Sequence, residues 1–201
     1  MTPYQLYQKL KEKYGSPAGQ WKLWCKRPKT IADREQVVIE AILTQRTNWQ
    51  NVEKAIKNLK KHDIKSLRSI SRTPPNKLAP LIKPAGFYRT KTQYLINLAK
   101  FIIKKHGNLT KMKTEPLLKL REQLLKLKGV GPETADSILL YVLDKPIFVV
   151  DEYTRRLVQK YKLTDNFSYH HLQNFFQKNL KKDFALFQDF HALIVIDGKN
   201  K

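Results

Sequence analysis

Asp151 ends the apolar run Ile147-Phe148-Val149-Val150 and precedes Glu152-Tyr153-Thr154-Arg155-Arg156. It stands twenty residues after the second glycine of Leu127-Lys128-Gly129-Val130-Gly131-Pro132-Glu133-Thr134-Ala135-Asp136. Two glycines around one apolar residue, with helical patterns on both sides, describe a tight hairpin between helices. Gly129 and Gly131 can adopt positive φ, and without side chains they let a phosphate approach the main chain. Pro132 suits the first turn of the following helix, whose remaining N–H groups and positive dipole end form an anion site. The plain alternative is an αα-corner whose glycines serve packing, with Leu124, Leu125 and Leu127 before the turn. Asp151 alone reads most simply as a helix N-cap. That position also lowers its pKa through the helix dipole and keeps it ionised. An ionised carboxylate at such a place stabilises an oxocarbenium-like sugar cation or orients the water that attacks it.

The elements that position these residues are helical almost throughout. An apolar stripe at Tyr4, Leu6, Tyr7 and Leu10 marks a helix over 3–13, and Val37, Val38, Ala41 and Ile42 mark one over 33–45. Asn48 reads as the N-cap of a helix through Val52, Ala55, Ile56 and Leu59. Helices are expected at 75–83, 90–105, 115–126, 132–143, 152–161, 169–179 and 185–196. Trp21, Trp24 and Pro28 mark an irregular aromatic linker. The β-branched run at 147–150 lacks a partner strand and is read as a buried extended connection. An all-α fold of about ten short helices follows, and Pro28 and Pro146 are the points where the chain passes between two lobes.

Composition narrows the partner. Lys and Arg number 39 against 17 Asp and Glu in 201 residues, a formal charge of +22, while 41% of residues are hydrophobic. The chain can bury a core, and its charge excess disfavours the compact state unless a polyanion screens it. That balance indicates nucleic acid without saying which kind of protein binds it. The single Cys25 excludes an intramolecular disulfide or thiolate metal site, and the five His, including His170-His171, lack metal-site spacing. Met1-Thr2-Pro3-Tyr4-Gln5-Leu6 lacks a signal-peptide core, and no apolar run approaches the ~20 residues that cross a bilayer. A cytoplasmic protein without membrane contact is expected, nucleoid-associated if prokaryotic.

Together the hairpin at 127–136 and Val149-Val150-Asp151 resemble the helix-hairpin-helix and aspartate-bearing loop of the endonuclease III superfamily of DNA glycosylases. Ala41-Ile42-Leu43-Thr44-Gln45-Arg46-Thr47-Asn48-Trp49 resembles the family's glutamine-bearing turn. Pro84-Ala85-Gly86-Phe87-Tyr88-Arg89-Thr90-Lys91 resembles the loop that probes DNA from the other side. The match runs from about residue 33 to 160, and Phe190-His191-Ala192-Leu193-Ile194-Val195 extends it loosely. The resemblance implies a two-lobed helix-hairpin-helix glycosylase fold with DNA bound across its cleft. A central six-helix barrel lobe would span 30–145, and a second lobe would combine 1–29 with 146–201. It implies Asp151 as the catalytic carboxylate, Gln45 filling the gap left by a flipped nucleotide, and Phe87 or Tyr88 wedging into the opposite strand. Arg89, Lys91, Gly129, Val130, Gly131, Glu133 and Thr134 would contact DNA. The backbone carbonyls of Leu125, Leu127 and Val130 would bind K⁺ or Na⁺ beside a phosphate, with no other cofactor required.

Two departures shape the expected reaction. Relatives that also cut the backbone carry an imine-forming lysine two positions after the second hairpin glycine, where this chain has Glu133. A carboxylate cannot form that imine, so a monofunctional enzyme using water is expected, without lyase activity. Many relatives also end in four cysteines that hold an iron–sulfur cluster. No cysteine stands beside Asp197-Gly198-Lys199 or Lys201, so no cluster is expected; either it is naturally absent or the tail is missing. The branch with Gly-Pro-Glu-Thr-Ala-Asp and Pro-Ala-Gly-Phe-Tyr resembles the 3-methyladenine glycosylases, whose cationic base can be selected by aromatic stacking. Trp49, one helical turn beyond Gln45, and the pair Trp21 and Trp24 are the base-pocket candidates. The expected partner is double-stranded DNA with a damaged base, bound by a monomer. A bifunctional glycosylase/lyase for oxidised pyrimidines or mismatches, and a non-catalytic helix-hairpin-helix DNA-binding protein, remain the alternatives.

Overall fold

A computed structural model describes residues 1–200. Among them the chain is all-α, with no strand. Its helices are α1 (Pro3–Tyr14), α2 (Trp21–Trp24), α3 (Ile31–Leu43), α4 (Trp49–Lys61), α5 (Leu67–Arg72), α6 (Pro75–Leu81) and α7 (Tyr88–Phe101). After them come α8 (Leu109–Thr114), α9 (Leu117–Leu125), α10 (Pro132–Ser137), α11 (Glu152–Lys160), α12 (Tyr169–Asn179) and α13 (Phe184–Lys199). Short polar side chains start most of them, because an N-cap oxygen satisfies a first-turn N–H that the helix cannot. Thr2, Thr30 and Ser66 form reciprocal capping boxes, and Asn48, Asn108, Asp151 and Asp183 accept first-turn N–H groups directly. Three helices differ from the expected connections: α2, α5 and α8 have only four or six residues, too few for an apolar period to repeat. None of the described helices is long and apolar enough to cross a membrane.

The chain divides into two compact units, Pro28–Ile138 and Met1–Arg27 with Leu139–Lys201. In the first, α3, α5 and α6 pack against α7, burying Val38, Ile42, Ile70, Leu78 and Leu95 almost completely. Arg121 of α9 makes a bidentate pair with the fully buried Asp136 of α10, at 2.7 and 3.1 Å. That pair fixes the arms of the hairpin, since removing one partner would strand a buried charge.

The second unit is built around α13, whose buried residues Phe187, Gln188 and Phe190–Val195 need neighbours on several sides. Phe148, Phe176, Phe187 and Phe190 form its aromatic centre, with Phe148 stacked on Phe176 at 4.3 Å. The connection at 147–150 is buried, as expected, and is neither helix nor strand. Its backbone is satisfied by α12 side chains: Gln177 accepts the Phe148 N–H at 3.0 Å and Gln173 donates to the Phe148 carbonyl at 2.7 Å. This anchoring delivers Asp151 to the start of α11.

Candidate functional site

The hairpin turn closes through Leu127 N–H to the Leu124 carbonyl and Val130 N–H to the Leu127 carbonyl, both at 3.0 Å. Its two glycines serve different ends. Gly129 has φ +90°, and a Cβ built there would overlap the Tyr94 ring of α7. Gly131 corrects the expectation of paired positive φ: it is extended at φ −86°, ψ 179°, as the N-cap of α10. A Cβ there would meet nothing within 4 Å, so its bareness leaves an open surface rather than relieving strain. Val130 is buried beneath the turn, while Gly131, Pro132 and Glu133 are exposed.

Gln45 is folded onto this hairpin. Its amide donates to the Gly129 carbonyl at 2.9 Å and to the Thr134 hydroxyl at 3.0 Å. Gln45 lies beyond the end of α3, next to Arg46 in the left-handed region at φ 52°. Trp49 therefore starts a different helix and is not one helical turn along from Gln45, a correction to the spacing argument. Trp49 is half-buried, donates to Glu53 at 2.9 Å, and lines a groove of about 580 Å³ with Gln36, Glu40 and Lys57.

The probing loop splits into an exposed and a buried part. Phe87 sits at φ 45° and is 64% exposed, an unusual state for a bulky apolar side chain. Tyr88 is half-buried and Arg89 exposed, with the guanidinium 5.9 Å from the Tyr88 ring centre. Lys91 departs from its expected role at the DNA surface. It is 2% exposed, and its ammonium donates to the Leu43 and Ala85 carbonyls at 2.7 Å each. Burial lowers its pKa to about 8.

In the other unit, Asp151 caps α11. One carboxylate oxygen accepts the Thr154 N–H at 2.7 Å and the Thr154 hydroxyl at 2.9 Å. The other lies 3.5 Å from His191 Nε2, an ion-pair distance without hydrogen-bond alignment, and that buried nitrogen has no hydrogen-bond partner among the described residues. Burial would push the Asp151 carboxyl up. His191 and then Thr154 more than offset it, so its pKa lies below the ordinary carboxylate value. His191 Nδ1 is 2.7 Å from the Tyr141 hydroxyl, which also donates to the Gln188 carbonyl at 3.1 Å. The hydroxyl has one proton, so with it committed to Gln188 the ring must donate from Nδ1.

The Trp21 and Trp24 rings are 5% and 6% exposed and pack edge-on at 5.6 Å. Both lie against Tyr141, and Trp21 is also 5.6 Å from His191. Little ring surface of this pair is available, and Trp21 packs behind His191. His191 and Tyr141 were missed as site residues. The available signal was a histidine inside the apolar run of α13, but its partner lies fifty residues away.

The profile of the HhH-GPD superfamily, described as base excision DNA repair proteins, matches residues 39–182. That span contains the Gln45 turn, the Phe87 loop, the hairpin and Asp151. The chain belongs to the HhH-GPD superfamily. This HhH-GPD protein is 44% identical over 195 residues to a Methanocaldococcus jannaschii protein provisionally named a DNA repair glycosylase, covering 96% of the chain and 84% of the relative. It is 32% identical over 125 residues to Thermotoga maritima endonuclease III, covering 62% of the chain and 55% of the relative. Among solved structures it resembles the H. pylori 3-methyladenine DNA glycosylase bound to 1,N6-ethenoadenine, with TM-score 0.84 and 29% identity over 100% of this chain and 98% of that one. A trapped endonuclease III–DNA covalent intermediate shares the fold at TM-score 0.75 and 18% identity, over 100% and 87% of the two chains.

Proposed function

We propose that this HhH-GPD protein is a monofunctional DNA glycosylase that takes a damaged base out of duplex DNA and hydrolyses its N-glycosidic bond. The observation that carries the reading is Asp151, a carboxylate held ionised despite its burial by a cap on one oxygen and His191 beside the other. As the C1′–N bond breaks, its electron pair leaves with the base and positive charge grows on the sugar. Asp151 stabilises that charge, and a water then adds to C1′ and loses its proton through the carboxylate. The hairpin supports the DNA phosphate, while Gln45 fills the gap and Phe87 parts the opposite strand. An alkylated purine such as 3-methyladenine fits this chemistry, because a cationic base leaves as a neutral one without a strong acid. The likeness to the H. pylori enzyme favours the same class.

A K⁺ or Na⁺ held by the carbonyls of Leu125, Leu127 and Val130 would add positive charge beside the phosphate. The Leu127 carbonyl already accepts the Val130 N–H, which leaves one lone pair for such an ion. Glu133, exposed in the first turn of α10, stands where a lyase would need an amine. Borohydride added during turnover on a panel of single-lesion duplexes is therefore expected to trap no covalent adduct while free base accumulates from the alkylated purine. A reduced enzyme–DNA adduct would instead support the bifunctional reading that the endonuclease III relative brings with it.

His191 has a pH signature. The ionised Asp151 is the active form, so the acid limb of the base-release profile reports its depressed pKa. Replacing His191 by Gln removes the main opposition to burial, and the limb is expected to move upward. The ionisable groups near the carboxylate on α13 are His191 and Lys199. Burial lowers the Lys199 pKa and the Asp151 charge opposes that shift. The same sign applies to stability: the contribution is present above the unfolded carboxylate pKa and lost as pH falls through the depressed one. An unmoved limb in His191→Gln would remove His191 from the account.

A further inference from the structure

Lys91 presents a buried cation that serves no surface. Its ammonium meets two backbone carbonyls, and each carbonyl lies two residues before a group proposed to enter the DNA stack. Leu43 is the last residue of α3 and precedes Gln45 by two; Ala85 closes the turn Lys83–Ala85 and precedes Phe87 by two. Both bonds are 2.7 Å, at the short end of the range for a charged donor. The Lys91 backbone N–H also donates to the Phe87 carbonyl at 2.9 Å, so one residue grips the Phe87 turn from two directions. A carbonyl at a helix end has no partner within its helix and needs one from elsewhere.

We infer that Lys91 is a positioning residue that ties the Gln45 turn to the Phe87 turn, so that the two probes meet the DNA as one rigid pair. This rests on the reading of Gln45 and Phe87 as stack-entering groups. The ammonium acts here as an internal monovalent cation, drawing together two carbonyls that would otherwise repel each other. An apolar side chain of equal length fills the same space but leaves both carbonyls without a donor. The left-handed Phe87 and Arg46 backbones lie next to the two anchored segments. Strained turns of this kind hold a single conformation only when their surroundings over-determine it. The long reach of lysine joins 43 to 91 in sequence and makes the pair cooperative.

The experiment compares Lys91→Met and Lys91→Gln with Gln45→Ala and Phe87→Ala. Flipping is read by 2-aminopurine fluorescence beside the lesion in a duplex. Single-turnover base release is measured from that duplex and from the same lesion in a single strand, where no stack has to be opened. Lys91→Met is expected to lose about tenfold or more in duplex flipping and duplex release, yet to release base from the single strand at nearly the wild-type rate. Lys91→Gln keeps two N–H donors on a shorter stem and is expected to recover part of the loss. Full duplex flipping in a folded Lys91→Met protein, with Gln45→Ala and Phe87→Ala both impaired, would overturn the inference alone. Unimpaired flipping in both alanine variants would overturn the probe reading and the inference with it. Equal losses in Met and Gln on duplex and single strand, with a lowered melting temperature, would assign Lys91 to general stability and also overturn it.

Discussion

Asparagine at position 151 is expected to slow base release by about 10²–10⁴-fold while lowering the melting temperature only by the share that the ionised carboxylate contributes beside His191. The two effects separate because Asp151 has two jobs on two oxygens. One oxygen caps α11 through the Thr154 N–H and hydroxyl, and the carbonyl of an asparagine can accept both bonds. Asparagine is as good an N-cap as aspartate. The negative charge beside His191 is lost, and with it the group that would meet the sugar cation. Alanine should lose activity to a similar extent and also cost about 1 kcal/mol of stability, because the cap disappears. Thermal melts beside single-turnover release from one lesion duplex distinguish the two jobs. A parallel fall in stability and activity in the asparagine variant would mean that the Asp151 charge beside His191 serves the fold and not the reaction.

The second large effect is expected at the hairpin, where the two glycines should fail in opposite ways. Gly129→Ala places a Cβ at φ +90° and into the Tyr94 ring. Backbone strain and overpacking together should cost about 2–5 kcal/mol, seen as a lowered urea midpoint. Gly131→Ala has ordinary extended angles and open space around the new methyl, so the folded state should be nearly unaffected. That methyl projects from the exposed turn proposed to face a phosphate, so duplex affinity measured by fluorescence anisotropy should fall about tenfold or more, which is roughly 1.4 kcal/mol. Wild-type affinity in Gly131→Ala would place the phosphate elsewhere.

The contrast between these glycines shows where the sequence was legible. Local chemistry could be read: Asn48 and Asp151 cap the helices they precede, and the run at 147–150 is a buried connection. Each of those readings depends on residues a few positions apart. The conformation of Gly131 depends on the path of α10, and the need for glycine at 129 comes from Tyr94, thirty-five residues earlier. Lys91 falls among the expected DNA contacts through the likeness of its loop to one that probes DNA; only the fold shows that two helix-end carbonyls converge on it. The packing of Trp21 and Trp24 against Tyr141, and of Trp21 against His191, is likewise set by the fold, across more than a hundred residues of sequence. The His191–Asp151 approach joins the start of α11 to the middle of α13, and no spacing rule predicts it.

The central claim is hydrolysis by the Asp151 carboxylate, and released base measures it most directly. Wild-type protein and Asp151→Asn, each in excess over a duplex carrying a single 3-methyladenine, should differ by at least about 10² in the rate of free base formation. The wild-type product should be an abasic site in an uncut strand. Equal rates from the two proteins would contradict the account, as would a wild type that releases no base from any lesion it binds.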